Sequence, residues 1–101
     1  MVIYNVTLNV ENIILAEWMA WMRDEHIPKV MNTGFFHDFH FLRLIGGEQS
    51  VDTTTYAVQY KCDSVKELAE YLDNYAHALQ KEHTAAFGEQ VLAFRTMLEE
   101  V

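Results

Sequence analysis

The sequence predicts an α+β fold in which two helices pack on one face of a four-stranded antiparallel sheet. Four segments alternate apolar and polar side chains, or are apolar on both sides, over the length of a β-strand. Two longer segments repeat apolar side chains at helical spacing. Turn signals such as Gly34 and Gly46-Gly47 separate these segments and place them in the order βαββαβ.

The first predicted strand covers residues 2–10, where every second side chain from Val2 to Val10 is apolar. Asn12 is expected to cap the next helix, because its side chain can accept a hydrogen bond from a free backbone N–H. The apolar stripe of that helix consists of Leu15, Trp18, Met19 and Met22. One face of the first helix is therefore expected to pack on the sheet.

Pro28 is expected to break or kink the first helix, because it has no N–H to donate to the carbonyl of Asp24. The chain should then resume as a short turn with Pro28 at its first position. Gly34 fits the left-handed residue that ends this turn.

The next two strands form a predicted hairpin. A long aromatic strand covers residues 35–45, and a loop runs from Gly46 to about Asp52. The third strand covers residues 54–62. The side chains on its apolar face are Tyr56, Val58, Tyr60 and Cys62.

Ser64-Val-Lys-Glu67 is a capping box that begins the second helix. The predicted core positions of this helix are Val65, Leu68, Leu72, Tyr75, Ala76 and Leu79. Gly88 ends it, and residues 90–98 form the last predicted strand. The whole order is the ferredoxin-like arrangement in a single domain over residues 1–101.

The two edge strands of this arrangement are unusually apolar. Strands one and three should lie in the centre of the sheet, and strands two and four at its edges. Strand two is apolar on both sides, with Phe39 and Phe41 on one and Leu42 and Leu44 on the other, and strand four is similar. An exposed edge of this kind promotes aggregation. Since the helices cover only one face, the sequence predicts a homodimer in which two copies pack sheet against sheet.

Composition excludes several classes of partner. Half of the 101 residues are apolar (50%), which excludes a disordered chain. Fifteen acidic against seven basic side chains give a net charge of −8, which disfavours nucleic acid and anionic membranes. No run reaches the roughly 20 apolar residues of a membrane helix, and the first residues lack the pattern of a signal peptide. The single cysteine, Cys62, cannot form an internal disulfide, so a cytoplasmic location is expected.

Several segments resemble a bacterial domain-of-unknown-function family. They are Ile3–Val10, Glu17–Met22, Glu25–Val30, Thr33–Phe35, Thr55–Tyr60 and Ala93–Thr96. The resemblance covers nearly the whole chain and implies a member of the dimeric α+β barrel superfamily. The stretch from Trp18 to Phe35 is also similar to EthD-like and stress-responsive members. Relatives include cofactor-free monooxygenases, muconolactone isomerases, haem-degrading enzymes and ligand-sensing regulatory domains, and this likeness of fold is an analogy for function.

His26 is the first candidate for a functional side chain. It lies four residues after Met22 and four before Val30, so it continues the apolar stripe of the first helix. A histidine that faces the gap between the helices and the sheet can act as a general base or bind an anionic ligand. The alternative is a core histidine bonded to the backbone carbonyl that Pro28 frees, or to a nearby carboxylate.

The remaining candidate ligand-binding residues are Trp18, Met22, Tyr56, Tyr60 and Arg95. Arg95 lies on a strand face between Ala93 and Met97, where its charge requires a ligand carboxylate or an acidic partner, in the same chain or across the dimer. The tyrosines offer hydroxyls to a ligand, and the tryptophan and methionine can line an apolar pocket. All of them also fit ordinary core packing.

Other chemistries lack the residues that they need. Asp38 and His40 share a strand face, but two aligned ligands without a third do not define a metal site. Ser64 is used as a helix cap, and Gly46-Gly47 lacks the Lys and Ser or Thr of a phosphate loop. We therefore expect no metal, no cofactor and no hydrolase chemistry.

Three functions are compatible with the sequence. The first is a small-molecule binding or regulatory protein with a pocket between helices and sheet near His26. The second is a cofactor-independent monooxygenase or isomerase for a small aromatic substrate, in which His26 moves a proton and Arg95 or a tyrosine orients the substrate. The third is an assembly protein without a ligand pocket.

Overall fold

The structure, a computed structural model, describes residues 1–47 and 49–101. Strands and helices follow one another in the order βαββαβ, which confirms the ferredoxin-like fold. Glu48, which belongs to the predicted hairpin loop, lies outside the described residues.

The strands are β1 (Val2–Glu11), β2 (Asp38–Arg43), β3 (Thr53–Cys62) and β4 (Val91–Glu99). They form an antiparallel sheet in the order β2-β3-β1-β4, so β1 and β3 are central and β2 and β4 are edges, as predicted. The even-numbered side chains of β1 and β3 face the helices. The register places the odd-numbered side chains of β2 and β4 on that same face.

Strand β2 is shorter than predicted: it begins at Asp38 rather than at residue 35 and ends at Arg43 rather than at residue 45. Phe36, which was expected within it, leaves the sheet and enters the core. Its ring centroid lies 4.8 Å from that of Tyr71 and 5.3 Å from that of Tyr60. Burial of this ring among other aromatic rings outweighs an extension of the strand.

Helix α1 comprises residues 15–32 and contains a π-helical turn. Its segments are Leu15–Trp21 (α), Met22–His26 (π) and Ile27–Asn32 (α). Of the expected break or kink at Pro28, the break is wrong, because the N–H of Ile27 donates to the carbonyl of Met22 and the widened turn carries the helix past the proline. Pro28 then lies in the first turn of the last segment. Gly34 ends the helix at φ 85°, as predicted.

The expectation that Asn12 caps helix α1 is wrong. Asn12 begins a short 3-10 turn, and its side chain has partners elsewhere. The amide donates to the carbonyl of Val51 at 3.1 Å, and the carbonyl oxygen accepts from the hydroxyl of Thr54 at 2.6 Å. Asn12 therefore connects the turn after β1 to the start of β3.

Helix α2 comprises residues 65–87. Its segments are Val65–Tyr71 (α), Leu72–Ala76 (π) and His77–Phe87 (α). The hydroxyl of Ser64 accepts a 3.2 Å hydrogen bond from the N–H of Glu67, which confirms the predicted cap. Gly88 ends the helix at φ 56°, a conformation that favours glycine.

Two predicted core positions of α2 are wrong, since Val65 is 59% exposed and Tyr75 is 44% exposed. The π-turn explains why Tyr75 is exposed. The widened turn brings Tyr71 and Ala76 to the buried side of the helix and leaves Tyr75 on the exposed side. Val65 lies at the helix start, one turn before the first buried residue, Leu68.

The two faces of the sheet differ. The helix-facing side carries the core, whose largest fully buried side chains include Trp18, Met22, Val58 and Tyr60. The opposite side is polar in its centre, where Asn9 donates to the hydroxyls of Thr53 and Thr55 at 3.1 and 3.0 Å. The exposed apolar side chains of this open face are Leu42 on β2 and Leu92, Phe94 and Leu98 on β4.

Candidate functional site

A small cavity lies between the two helices and the sheet. Its volume is about 30 Å³, and residues of α1, α2, β1, β3 and β4 line it. That volume holds one or two water-sized groups. The polar side chains that line it are Tyr4, His26, Tyr60, Tyr71, Gln80, His83 and Arg95.

His26 enters the cavity from the last position of the π-turn of α1. Its ring stacks on Trp21 with centroids 5.2 Å apart and lies 5.8 Å from the ring of His83. The Nδ1 atom is buried and has no hydrogen-bond partner among the described residues. Burial and the nearby His83 lower the pKa of His26 to about 4, so its imidazole is neutral at neutral pH.

His83 reaches the same cavity from α2 and is only 7% exposed. The indole Nε1–H of Trp18 donates to its Nε2 at 3.1 Å. Burial, followed by the charge of Arg95, lowers the pKa of His83 to about 4. A neutral imidazole that accepts at Nε2 carries its proton on Nδ1, so this side chain can donate one further hydrogen bond.

Arg95 supplies the positive charge of the site. It lies on β4 opposite Val6 of β1, with its side chain on the helix-facing side. Of the described residues that line the cavity, Arg95 alone is exposed, and the side of the cavity at Arg95 is called its mouth. No carboxylate within the described chain forms an ion pair with it.

Three tyrosines form the remaining polar wall. The ring centroid of Tyr4 lies 6.2 Å from that of Tyr60 and 5.7 Å from that of Tyr71. The hydroxyl of Tyr60 is buried without a partner among the described residues, whereas that of Tyr4 accepts from the side-chain amide of Gln80 at 3.4 Å. Burial raises the pKa of Tyr60 and of Tyr71, so both phenols stay protonated.

The structure brings four of the six sequence-predicted site residues to the cavity, namely Met22, His26, Tyr60 and Arg95. Trp18 lies behind the wall and contacts the site through His83. Tyr56 lies apart from the cavity: its ring packs 5.4 Å from that of Trp18 and borders an outer groove beside Phe41.

Sequence reasoning missed His83. The signal for it is its position four residues after Leu79 and four before Phe87, which continues the buried stripe of α2. His77, on the same helix, is exposed. A histidine at a core position of the second helix was therefore as visible in the pattern as His26 was in the first.

Leu79 separates the cavity from a groove on the outer surface of the helices. It lines both spaces, and the groove has a volume of about 370 Å³. The ion pair between Lys29 of α1 and Glu82 of α2, with Nζ and Oε1 2.8 Å apart, joins the two helices near this wall. Leu79 is thus the side chain that the cavity and this groove have in common.

The described residues do not form a metal site or a reactive thiol site. Among residues 1–47 and 49–101, no group of three or more His, Cys, Asp or Glu side chains comes together as metal ligands. Asp38 and His40 are both exposed on the open face. Cys62 is fully buried, and burial raises the pKa of its thiol. In the part of the chain that the structure describes, neither helix is long and apolar enough to cross a membrane.

Solved structures share this fold at low sequence identity. An EthD-family protein from Bacillus halodurans C-125 superposes with a TM-score of 0.72 at 16% identity over 100% of both chains. A dimeric ferredoxin-like protein from an uncultured marine organism gives 0.62 at 10% identity over 99% of this chain and 97% of its own. An EthD-like protein from Ralstonia eutropha JMP134 gives 0.55 at 16% identity over 96% and 90%.

The sequence comparisons give the family without an activity. No curated protein matches the chain. A family model described as "Domain of unknown function (DUF4286)" matches residues 1–101 from end to end, and the chain therefore belongs to this family.

Proposed function

We propose that this protein binds a small molecule in the cavity between its helices and its sheet, beside His26. One observation carries the proposal: His26 Nδ1 and the Tyr60 hydroxyl are buried at this cavity, and neither has a partner within residues 1–47 and 49–101. A buried polar group without a hydrogen bond costs about 1–3 kcal/mol, and native proteins rarely keep one. A ligand that bonds to either atom recovers part of this cost.

The same site supports a cofactor-independent enzyme as the second candidate, either a monooxygenase or an isomerase for a small aromatic substrate. The supporting observation is that His26 is neutral and that its Nδ1 has no partner among the described residues, so it is able to take a proton from a substrate. Its pKa of about 4 makes it a weak base, however, because an efficient base titrates near the working pH. This favours binding over catalysis.

The test is a thermal-shift and tryptophan-fluorescence screen of phenols, small carboxylic acids and their neutral amides. Trp21 stacks on His26, so a ligand in the cavity should change tryptophan emission. We expect a ligand that raises the Tm of the wild type and of His77→Ala but not of His26→Ala, since His77 is exposed on the same helix as His83.

Two outcomes would overturn the binding proposal. If no compound shifts the Tm or the emission, the alternative of an assembly protein without a pocket is favoured. If a hydroxyaromatic compound drives oxygen uptake in the wild type and His26→Ala abolishes it, the enzyme is the better description.

We propose further that two copies associate through the open face of the sheet. Support comes from strand β4, an edge strand on which Leu92, Phe94 and Leu98 are between 44% and 65% exposed. An edge this apolar requires a cover, and a stable interface buries about 800 Å² on each partner. The marine ferredoxin-like neighbour is itself described as dimeric.

Light scattering tests the dimer against the protomer mass of 11.8 kDa. The wild type should have twice this mass, and Phe94→Glu should reduce it to one protomer. Val65→Glu is the matched control, because Val65 is 59% exposed on α2, away from the open face. A wild type at the protomer mass would contradict the proposal.

We also propose a cytoplasmic location. A fully buried free thiol, Cys62, is compatible with a reducing compartment and does not require an oxidising one. Fractionation of cells that make the protein is the direct test, and recovery from the periplasm or the medium would contradict it.

A further inference from the structure

We infer that the ligand is a small organic acid whose carboxylate enters the cavity, with Arg95 at the mouth as its counter-ion and His83 and Tyr60 as inner hydrogen-bond donors. This inference rests on the proposed function, because it names the chemical class of the molecule that the cavity takes. Three features carry the inference: the charge of the lining, the hydrogen-bond donors of the lining and the volume of the cavity.

The charge of the lining is positive. Arg95 lines the cavity, and none of the described lining residues is an Asp or a Glu. The nearby charges of Lys29 and Glu82 neutralise each other in an ion pair outside the cavity. The whole chain carries a net charge of −8 and repels anions at long range, so an anion must be held by a local cation. Arg95 is that cation, and one cation fits a singly charged acid.

Two hydrogen-bond donors of the lining have no partner among the described residues. Nε2 of His83 is occupied by the indole of Trp18, which leaves the Nδ1–H of His83 as a donor without a described partner. The phenol of Tyr60 is protonated and has no partner in the described part of the chain, so its O–H is a second donor. A carboxylate has two oxygens and only accepts, so it complements a guanidinium and two neutral donors.

The volume of the cavity sets the position of the ligand. About 30 Å³ admits a carboxylate group but not an aromatic ring. The rest of the acid must therefore extend through the mouth beside Arg95 or displace Leu79 toward the outer groove. Both routes leave the acid group innermost, where the apolar residues Val58 and Met22 exclude water from the contact.

The experiment compares acids with their isosteric amides on the full-length protein. Calorimetric titration uses propionate and benzoate as probes, and propionamide and benzamide as neutral controls of the same shape. We expect the acids to bind at least about tenfold more tightly than the amides, because a charge-assisted pair replaces a neutral hydrogen bond. This preference should weaken as NaCl is raised.

Variants of Arg95 and Arg43 test whether Arg95 causes the preference for acids over amides. Arg95→Gln should remove it, whereas Arg43→Gln should keep it, since Arg43 is an exposed arginine on the opposite edge strand and lines the groove beside Phe41 rather than the cavity. Arg95→Lys serves as a second variant and should retain part of the preference, because the charge remains and the planar fork is lost. Circular dichroism and Tm establish that each variant is folded.

The results separate this inference from the proposed function. Equal binding of acids and amides, unchanged by Arg95→Gln, would overturn the carboxylate assignment and leave a binding pocket intact. The carboxylate assignment would also be overturned, and the pocket kept, by a second result. In that result no acid binds, while a neutral phenol stabilises the wild type and not His26→Ala. A screen in which no compound of any class binds would remove the proposed function itself.

Discussion

The indole N–H of Trp18 donates a 3.1 Å hydrogen bond to Nε2 of His83, and this bond connects α1 to α2 inside the protein. Both side chains are buried, at 0% and 7% exposure. A buried indole N–H requires an acceptor, so the bond holds His83 in its neutral form with the proton on Nδ1. One side-chain pair thus links the packing of the helices to the hydrogen-bonding character of the cavity.

The first prediction concerns this pair. Trp18→Phe should let His83 move its proton to Nε2, because the competing donor is gone. It should also lower the free energy of unfolding by about 2 kcal/mol, through the lost hydrogen bond and the smaller ring. Long-range ¹H–¹⁵N spectra of the imidazoles report the tautomer. Trp21→Phe is the control and should leave it unchanged; an Nε2 proton on His83 in the wild type would refute the assignment.

The second prediction is a loss of stability in mild acid. His26 and His83 have pKa values of about 4 in the folded protein against 6.5 in the unfolded chain. The unfolded chain therefore binds more protons between these values, and stability falls as the pH drops from 6.5 toward 4. Each histidine should lower the free energy of unfolding by about 2 kcal/mol between pH 7 and pH 5.

Urea unfolding at these two pH values measures the loss of stability. A matched pair of variants tests whether His83 contributes to it. The charged and titratable groups that act on the two imidazoles are Arg95, Glu82 and Lys29, and the imidazoles also act on each other. His83→Gln removes one titration and keeps an acceptor for Trp18, so it should have a shallower pH dependence than the wild type. His77→Gln should match the wild type. Equal slopes in both variants would show that burial does not depress the pKa of His83.

The third prediction is that the buried hydroxyl of Tyr60 lowers the free energy of unfolding of the protein. Tyr60→Phe removes a buried hydroxyl for which the described residues supply no partner, and it should raise the free energy of unfolding by about 1 kcal/mol. Tyr4→Phe is the matched control, because its hydroxyl accepts from Gln80 and its removal leaves that amide without an acceptor. A destabilised Tyr60→Phe would mean that the hydroxyl is hydrogen-bonded in solution.

The fourth prediction concerns access to the cavity. Leu79→Ala removes the wall between the cavity and the outer groove, so benzoate should associate faster in stopped-flow fluorescence. The truncation should cost about 2 kcal/mol of stability, because the side chain is half-buried. Tyr75→Ala enlarges the groove without touching the cavity and should leave the association rate unchanged. The same effect in both variants would place the entry elsewhere.

Periodicity accounts for most of the fold and fails where the backbone departs from regular geometry. The alternation of residues 2–10 and 54–62 predicted the central strands, and the capping box predicted the start of α2. The π-turns had no recognised signal, and they are the reason why Pro28 does not break α1 and why Tyr75 is exposed. Strand β2 was overextended because an aromatic run does not reveal that Phe36 packs into the core.

The spacing of residues within one helix or one strand predicted part of the site. His26 and Tyr60 follow apolar stripes of one helix and one strand, so each could be assigned to a buried face. Their meeting with Arg95 at one cavity depends on the register of β1 with β4, which pairs Val6 with Arg95, and no local pattern contains that register.

The sequence by itself determined the order of strands and helices, the buried faces and the apolar edges, because these follow from side-chain periodicity along one segment. Only the tertiary structure decided that His83 accepts from Trp18, that Arg95 lines a cavity, and that two buried polar atoms of the described residues lack partners. Such relationships join residues on different elements. They depend on how helices and strands pack in three dimensions, and a one-dimensional pattern does not encode these distances.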